Sequence, residues 1–456
     1  MSHIETLNTK TKYQQIDGFG FSEAFQRAYN IYNLTEPKRS ALVDLLFNTT
    51  AGAGFSILRN GVGSSVNGSK DWMVSIAPFA PSPEGSREVG YVWDGKDSGQ
   101  LWLSQQAVKY GVKTFYGNAW SAPGFMKTNG NDAGGGLLCG VSGTNCSTGD
   151  WRQAYADYLV KYIQLYAENG VGVTHIGFVN EPDYSANYAS MLSTGQQSAD
   201  FIRVLHPTLA RANLSHVQIT CCEATGWKTQ ANMTRDLVKA GVEDLIGVIT
   251  SHPYTSDITE PQPTSLKVWE TEYSDLSGSW STAWFSGPGV SGDGFTWANH
   301  IHTGLTAGNV SGYLWWVATQ DRETNRNNNE KLILVDQGEY YVSKRFWAFA
   351  QYSRPIRPGA VRVGVSVADA QLKTTAFVNA DGSVVVVILN SGAAAESVTV
   401  AGVRAAAARA WVTDGNNDMA SAVSAVEVDP VDGSVVVASV PGRGLVSLVI
   451  TPVAAP

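Results

Sequence analysis

Up to Arg354, short apolar runs alternate with longer amphipathic stretches. The runs at 15–20, 56–62, 113–120, 174–180, 217–223, 247–254, 265–273 and 311–317 are rich in β-branched and aromatic residues, and predict strands. Between them, 37–47, 100–110, 151–168, 198–212, 234–240 and 297–307 carry helical periodicity, and 344–352 follows the eighth strand. In 151–168, Tyr155, Tyr158, Leu159 and Tyr162 recur at helical spacing and predict a buried face. Eight strands with helical crossovers predict an α/β fold, a (β/α)8 TIM barrel, whose functional groups gather at the C-terminal ends of the strands. The crossover at 255–264, with Pro261 and Pro263, has no helical period, so a non-helical link is expected there. The stretch 63–98 is long for a strand-to-helix loop; its Trp72, Phe79 and Trp93 predict one wall of the cleft.

The pattern changes after Arg354-Pro355. Val, Ala and Gly dominate, strict alternation appears in Val361-Arg362-Val363-Gly364-Val365-Ser366-Val367, and Ala380-Asp381-Gly382 and Val431-Asp432-Gly433 read as hairpin turns. The barrel is therefore assigned to 15–354 and an antiparallel β-sandwich side domain to 355–456. No aromatic strip suited to holding a polysaccharide marks the sandwich.

Composition narrows the picture. A net charge of −8 without any basic run argues against a nucleic-acid surface. No apolar stretch reaches the ~20 residues of a membrane-spanning helix. The 14 Trp and 18 Tyr suit both cores and sugar-stacking clefts. Seven Asn-x-Ser/Thr triplets, at Asn33, Asn48, Asn67, Asn145, Asn213, Asn232 and Asn309, point to a eukaryotic secretory route and an extracellular glycoprotein. Met1-Ser2-His3 has no signal-peptide core and reads as a trimmed beginning. Cys139 and Cys146 bracket a polar loop that a disulfide can close. Cys221 and Cys222 are neighbours on a strand, so they should point to opposite faces as small buried hydrophobes. None of the four has metal-ligand spacing, so no metal and no cofactor are expected.

The candidate chemistry begins at Asn180-Glu181-Pro182. Proline stops the strand and holds the preceding residue extended, which should aim the Glu181 carboxylate off the strand's C-terminal end. The other strand ends supply Arg59-Asn60, Asn118-Ala119-Trp120, His252-Pro253-Tyr254, Trp269-Glu270-Thr271-Glu272-Tyr273 and Trp315-Trp316. Two carboxylates from different strands, ringed by aromatic and amide side chains, are what glycoside hydrolysis requires. Arg59 is placed to hold one carboxylate ionised. Glu223, ending strand five, competes as a site carboxylate, although giving it the acid/base task leaves Asn180-Glu181-Pro182 without one.

In order and spacing these motifs resemble glycoside hydrolase family 30, together with Ile16-Asp17-Gly18-Phe19-Gly20, Leu58-Arg59 and Ala119-Trp120-Ser121-Ala122-Pro123-Gly124-Phe125-Met126-Lys127. The resemblance covers essentially the whole chain. It implies a retaining hydrolase with Glu181 as acid/base and Glu272 as nucleophile, and an N-terminal strand (6–13, within a segment 1–14) that joins the side domain. Glu270 is the rival nucleophile, because i and i+2 on a strand share a face. Glu272 lies nearer the rim and matches the Thr-Glu-aromatic pattern, which leaves Glu270 as a deeper carboxylate with Arg59 as its candidate partner.

The segment Phe19-Gly20-Phe21-Ser22-Glu23-Ala24-Phe25-Gln26-Arg27-Ala28 looks like the fungal xylan-degrading subgroup, in which an Arg after strand one binds the glucuronic acid branch of glucuronoxylan. Arg27 matches it, and a guanidinium grips a uronate by a bidentate pair. Asn180 is expected to reach a sugar hydroxyl, His252 to position the site and Tyr254 to orient the nucleophile. Trp120 and Trp315 are expected as sugar platforms, Trp316 as packing, and Trp72 and Trp227 as further lining. The expectation is a secreted, monomeric xylanase acting on polysaccharide, endo-acting or xylobiose-releasing. The rival substrates are β-1,6-galactan and β-1,6-glucan, and the rival class is a non-catalytic glycan-binding protein.

Overall fold

The computed structural model describes residues 2–68, 72–82, 86, 88–367, 369–422 and 425–454. Eight parallel strands form the barrel: Gly18–Ser22, Ile57–Val62, Thr114–Ala119, His175–Gly177, Gln218–Ala224, Val248–Ser251, Lys267–Tyr273 and Gly312–Gln320. The eighth pairs with both the seventh and the first, which closes the ring. The first strand starts later than the 15–20 run suggests, because Gln15 still belongs to the side domain's sheet and the Asp17 amide bonds Ser311. Ile57, Tyr116, Val248, Trp269 and Leu314 pack together from five of the strands and fill the barrel.

Helices Lys38–Phe47, Gln100–Lys109, Arg152–Glu168, Gly195–Arg211, Trp227–Lys239, Gly294–Thr306 and Lys344–Ser353 cover the outside. Between the sixth and seventh strands the described chain forms no helix, as the prolines predict. Two features had no counterpart in the pattern. A hairpin, Lys331–Asp336 with Glu339–Val342, extends the sheet beside strand eight, and Asp275–Ser279 pairs with Asn328–Asn329 above the barrel rim.

Among the described residues, nine C-terminal strands and the N-terminal strand His3–Gln15 form a separate ten-stranded sheet with its own core, including Leu7, Val363, Val386, Val398 and Leu448. Its pairing is antiparallel except where the N-terminal strand His3–Gln15 runs parallel to Glu396–Ala401; on its other edge that strand pairs antiparallel with Val361–Ser366. The helix Lys344–Ser353 is buried along most of its length and joins the two units. Its Gln351 donates to Thr413 at 2.9 Å and accepts from Ser447 at 2.5 Å.

Cys139 and Cys146 are disulfide-bonded. Cys221 and Cys222 depart from expectation. Their sulfurs are joined in a vicinal disulfide, so the two side chains meet rather than point to opposite faces, and the peptide bond between them is cis. The 63–98 stretch departs too. Trp93 packs on Tyr166 with ring centroids 6.1 Å apart, Phe79 is exposed, and Trp72 is half-buried with its carbonyl bonded to the Gln26 amide. None of the three is among the cleft-lining residues; 69–71, 83–85 and 87 lie outside the described residues.

Candidate active site

A cleft of about 690 Å³ opens at the C-terminal ends of the barrel strands, lined in part by Phe25, Arg27, Trp120, Glu181, Tyr188, Tyr254, Glu272 and Trp316. On its floor Arg59, fully buried, extends from strand two. One guanidinium nitrogen donates to Glu272 Oε2 at 2.6 Å; the other donates to Asn180 Oδ1 at 2.5 Å and Glu223 Oε2 at 3.0 Å. The guanidinium also stacks over the Trp120 ring at 4.5 Å. Burial opposes the charge on Arg59, but the Glu223 and Glu272 carboxylates outweigh it and raise its pKa further.

Glu181 departs from its expected backbone. Strand four ends at Gly177, and Glu181 is left-handed, with φ +48°, rather than extended. A tertiary bond overrides the pre-proline preference: the Glu181 amide donates to the Glu223 carbonyl at 2.9 Å, and the Glu181 carbonyl accepts from the Tyr184 amide at 2.9 Å. The resulting corner turns the Glu181 carboxylate into the cleft, where His252 Nδ1 meets Oε1 at 3.2 Å and the Tyr188 hydroxyl donates to Oε2 at 3.4 Å.

The two strand-seven glutamates do not share a surrounding. The ladder between strands seven and eight is shifted: Tyr313 pairs with Glu270, whereas Trp315 pairs with Tyr273. Such an extra residue breaks alternation and re-aims side chains. Thr271 and Glu272 therefore both reach the Arg59–Glu223 cluster, the Thr271 hydroxyl donating to Glu223 at 2.8 Å. Glu270 does not pair with Arg59. It accepts from the Leu314 amide at 3.3 Å, and burial raises its pKa well above the ordinary carboxylate value. Burial first, and then the nearby Glu181 charge, also raise the Glu272 pKa, against the opposing pull of His252 and Arg59. The Tyr254 hydroxyl donates to Glu272 Oε1 at 3.3 Å.

Oxygens of Glu181 and Glu272 and a ring nitrogen of His252 all lie within 4.8 Å of one another. Oxygens this close fit a carboxyl separation of about 5–5.5 Å better than the ~6.5–9.5 Å that leaves room for an attacking water. The spacing also suits a cation, but the buried guanidinium 2.6 Å from Glu272 makes the spot repel one.

The strand-eight tryptophans exchange the parts expected of them. Trp315 is fully buried, packs on Trp297 at 4.3 Å and Phe349 at 5.7 Å, and donates its indole N–H to the Glu330 carbonyl at 2.6 Å. Trp316 lines the cleft, 5.8 Å from Trp120 and 6.0 Å from Phe25. Trp316 shares the inward face of Leu314, two residues before it, which fills the barrel, and a register shift against strand one falls between Trp315 and Val317. Trp227 is likewise core, with its indole N–H on the Glu260 carbonyl at 2.7 Å. Arg27 lies on the cleft wall, almost fully buried, and donates to the Phe25 carbonyl at 2.8 Å. Asn180 accepts from Arg59, which commits its carbonyl oxygen to the protein.

Residues that the motifs did not flag include Tyr188, beside Glu181, and Leu276, Asn325 and Arg326 from the rim segments around Asp275–Ser279 and Asn328–Asn329. Their segments are polar and aperiodic, so only the tertiary pairing brings them to the site.

The family model for O-glycosyl hydrolase family 30 matches residues 3–259, and that for the glycosyl hydrolase family 30 beta sandwich domain matches 359–447. The solved catalytic domain of a family 30 xylanase C from Talaromyces cellulolyticus superposes with a TM-score of 0.91 at 42% identity, covering 98% of this chain and 100% of that one. An endo-1,6-beta-D-glucanase from Aspergillus fumigatus is 27% identical over 83% of this chain and 79% of its own length. The mouse lysosomal acid glucosylceramidase is 25% identical over 84% and 76%, respectively.

Proposed function

We infer, from the premise that the chain belongs to O-glycosyl hydrolase family 30, that it cleaves β-1,4-xylosidic bonds of glucuronoxylan with retention of configuration. The observation that carries the reading is the Glu181–Glu272 pair, with oxygens within 4.8 Å, in a cleft that also holds Arg27. In the first step a Glu272 oxygen attacks the anomeric carbon while Glu181 gives its proton to the departing oxygen. In the second, water attacks that carbon and loses its proton to Glu181, and the ester to Glu272 breaks. Arg59 and Tyr254 each hold one oxygen of Glu272 and orient it. Trp120 and Trp316 offer stacking faces for the sugar rings, and Arg27 takes the uronate carboxylate.

The 42% identity to a protein described as a xylanase favours xylan; the Aspergillus relative supports a second reading, β-1,6-glucan. Product profiles on glucuronoxylan, a linear xylo-oligosaccharide and a β-1,6-glucan separate them. Xylo-oligosaccharide release with no attack on the glucan is expected, and the reverse pattern rejects the xylan reading. The Cys139–Cys146 disulfide and the exposed asparagines at 33, 67, 145, 213 and 232 support a secreted glycoprotein acting outside the cell. A loss of mass on enzymatic deglycosylation, after secretion by a fungal host, tests that.

A further inference from the structure

Three carboxyl groups, those of Glu181, Glu223 and Glu272, meet at the cleft floor, and the double displacement uses only two. The third, Glu223, is fully buried. Its Oε2 accepts from Arg59 at 3.0 Å, the Thr271 hydroxyl at 2.8 Å and His252 Nε2 at 2.6 Å, and its Oε1 accepts from the Tyr116 hydroxyl. The other ring nitrogen of His252 faces Glu181 Oε1 at 3.2 Å. A carboxylate oxygen is an acceptor only, so with Glu181 ionised the ring needs a proton on each nitrogen; with Glu181 carrying its proton on Oε2, on the Tyr188 side, Oε1 remains an acceptor for Nδ1–H. The remaining ionisable groups facing the ring are Glu272, 3.9 Å from Nε2, and Tyr254, edge-on at 5.8 Å, with Glu270, its pKa raised by burial, behind them.

We propose that Glu223 is a positioning residue: its carboxylate holds His252 as an imidazolium against Glu181 and supplies the counter-charge that keeps the site neutral through both halves of the reaction. The proposal rests on the assignment of Glu181 and Glu272 given above. Before attack, Arg59 and His252 are cationic, Glu223 and Glu272 anionic, and Glu181 protonated. After attack, Glu272 is a neutral ester and Glu181, having given its proton to the leaving oxygen, is anionic. Charges sum to zero in both states, so the step creates no net charge in a water-poor cleft. Without Glu223 both states carry a surplus positive charge, and loss of the His252 proton relieves it. Burial alone would lower the His252 pKa, but Glu272, Glu181 and Glu223 together raise it to about 10. Burial would raise that of Glu223, yet Arg59, followed by His252, holds it down at about 2.

The test is long-range 1H–15N NMR of the histidine rings between about pH 5.5 and 8, with His252 identified by its absence from spectra of His252→Gln. In the unaltered protein His252 should keep the imidazolium pattern throughout. Glu223→Gln, which retains shape and an acceptor oxygen, should bring its titration into that window and lower kcat by about 10–100-fold, the range for removing a group that orients a site residue. The activity loss should grow with pH as the imidazolium is lost. Tyr116→Phe, which removes one hydrogen bond to Glu223 but no charge, should leave the His252 state unchanged. A neutral His252 at pH 7 in the unaltered protein, which needs no variant to observe, overturns the proposal, as does a Glu223→Gln ring that remains imidazolium. The ring spectra do not depend on substrate, so a wrong polysaccharide assignment leaves them readable, and a neutral His252 in the unaltered protein alongside an inactive Glu272→Gln rejects this inference alone.

Discussion

The Glu181 amide donates to the Glu223 carbonyl at 2.9 Å, and both glutamates hold left-handed backbone, with φ +48° and +62°. A non-glycine residue in that region costs of order 1–3 kcal/mol and persists only where its surroundings fix it. The fold holds two such residues side by side at the cleft floor, so the corner favours the placement of the two carboxylates over backbone comfort.

Glu181→Gly should therefore fold with undiminished stability, because glycine adopts this φ freely. Its turnover on unactivated polysaccharide should fall by about 10²–10⁴-fold through loss of the general acid. Azide, which needs no base, should restore turnover on a substrate with a good leaving group and yield a β-glycosyl azide. No rescue would mean that Glu181 is not the acid/base.

The two strand-eight tryptophans should separate cleanly. Trp315→Ala empties a site packed by Trp297 and Phe349, and should cost about 3–5 kcal/mol in chemical unfolding. Trp316→Ala should raise KM while leaving the unfolding midpoint nearly unchanged. The opposite assignment of effects would return Trp315 to the cleft.

Buried carboxyls give stability a pH dependence. Burial raises Glu23 to about 8, against hydrogen bonds from Thr319, and Glu5 and Asp97 to about 7. Their folded forms keep a proton that the unfolded chain releases above its ordinary pKa of about 4.5 or below. More protons are thus bound in the folded state, and stability is lost as pH rises from about 4.5 to 8. Urea unfolding should show a lower midpoint at pH 8 than at pH 5.5, and Glu23→Gln should shrink the difference. A flat profile would contradict this.

Arg27→Ala should lower kcat/KM on glucuronoxylan at least ~10-fold more than on unbranched xylan, the value of one sheltered charge-assisted pair. Equal losses on both polymers would take Arg27 out of substrate choice.

Much of this was legible in the residues. Apolar runs at strand spacing located all eight barrel strands, and their last residues supplied Arg59, Glu181, His252, Tyr254 and Glu272, which the fold brings together. What escaped has a common cause: it is decided by partners distant in sequence. Strict alternation puts Glu270 beside Glu272, but a ladder shift set by the neighbouring strand separates them. For Trp315 and Trp316 the run of apolar residues in the eighth strand does not say which face is inward until Leu314 is seen to fill the barrel. The pre-proline preference makes Glu181 extended until the Glu223 carbonyl claims its amide. Glu223 itself could be noticed at a strand end, yet its bonds to Tyr116, Thr271 and His252 come from three other strand regions that no local motif joins.

In the proposed mechanism Glu181 and Glu272, with oxygens within 4.8 Å of each other, act by double displacement on glucuronoxylan. Proton NMR of the products formed in the first minutes of hydrolysis tests it most directly. The new reducing ends should appear as the β-anomer and only then mutarotate, and Glu272→Gln should produce none. Initial appearance of the α-anomer would mean direct displacement by water, and would contradict both the mechanism and the assignment of Glu272.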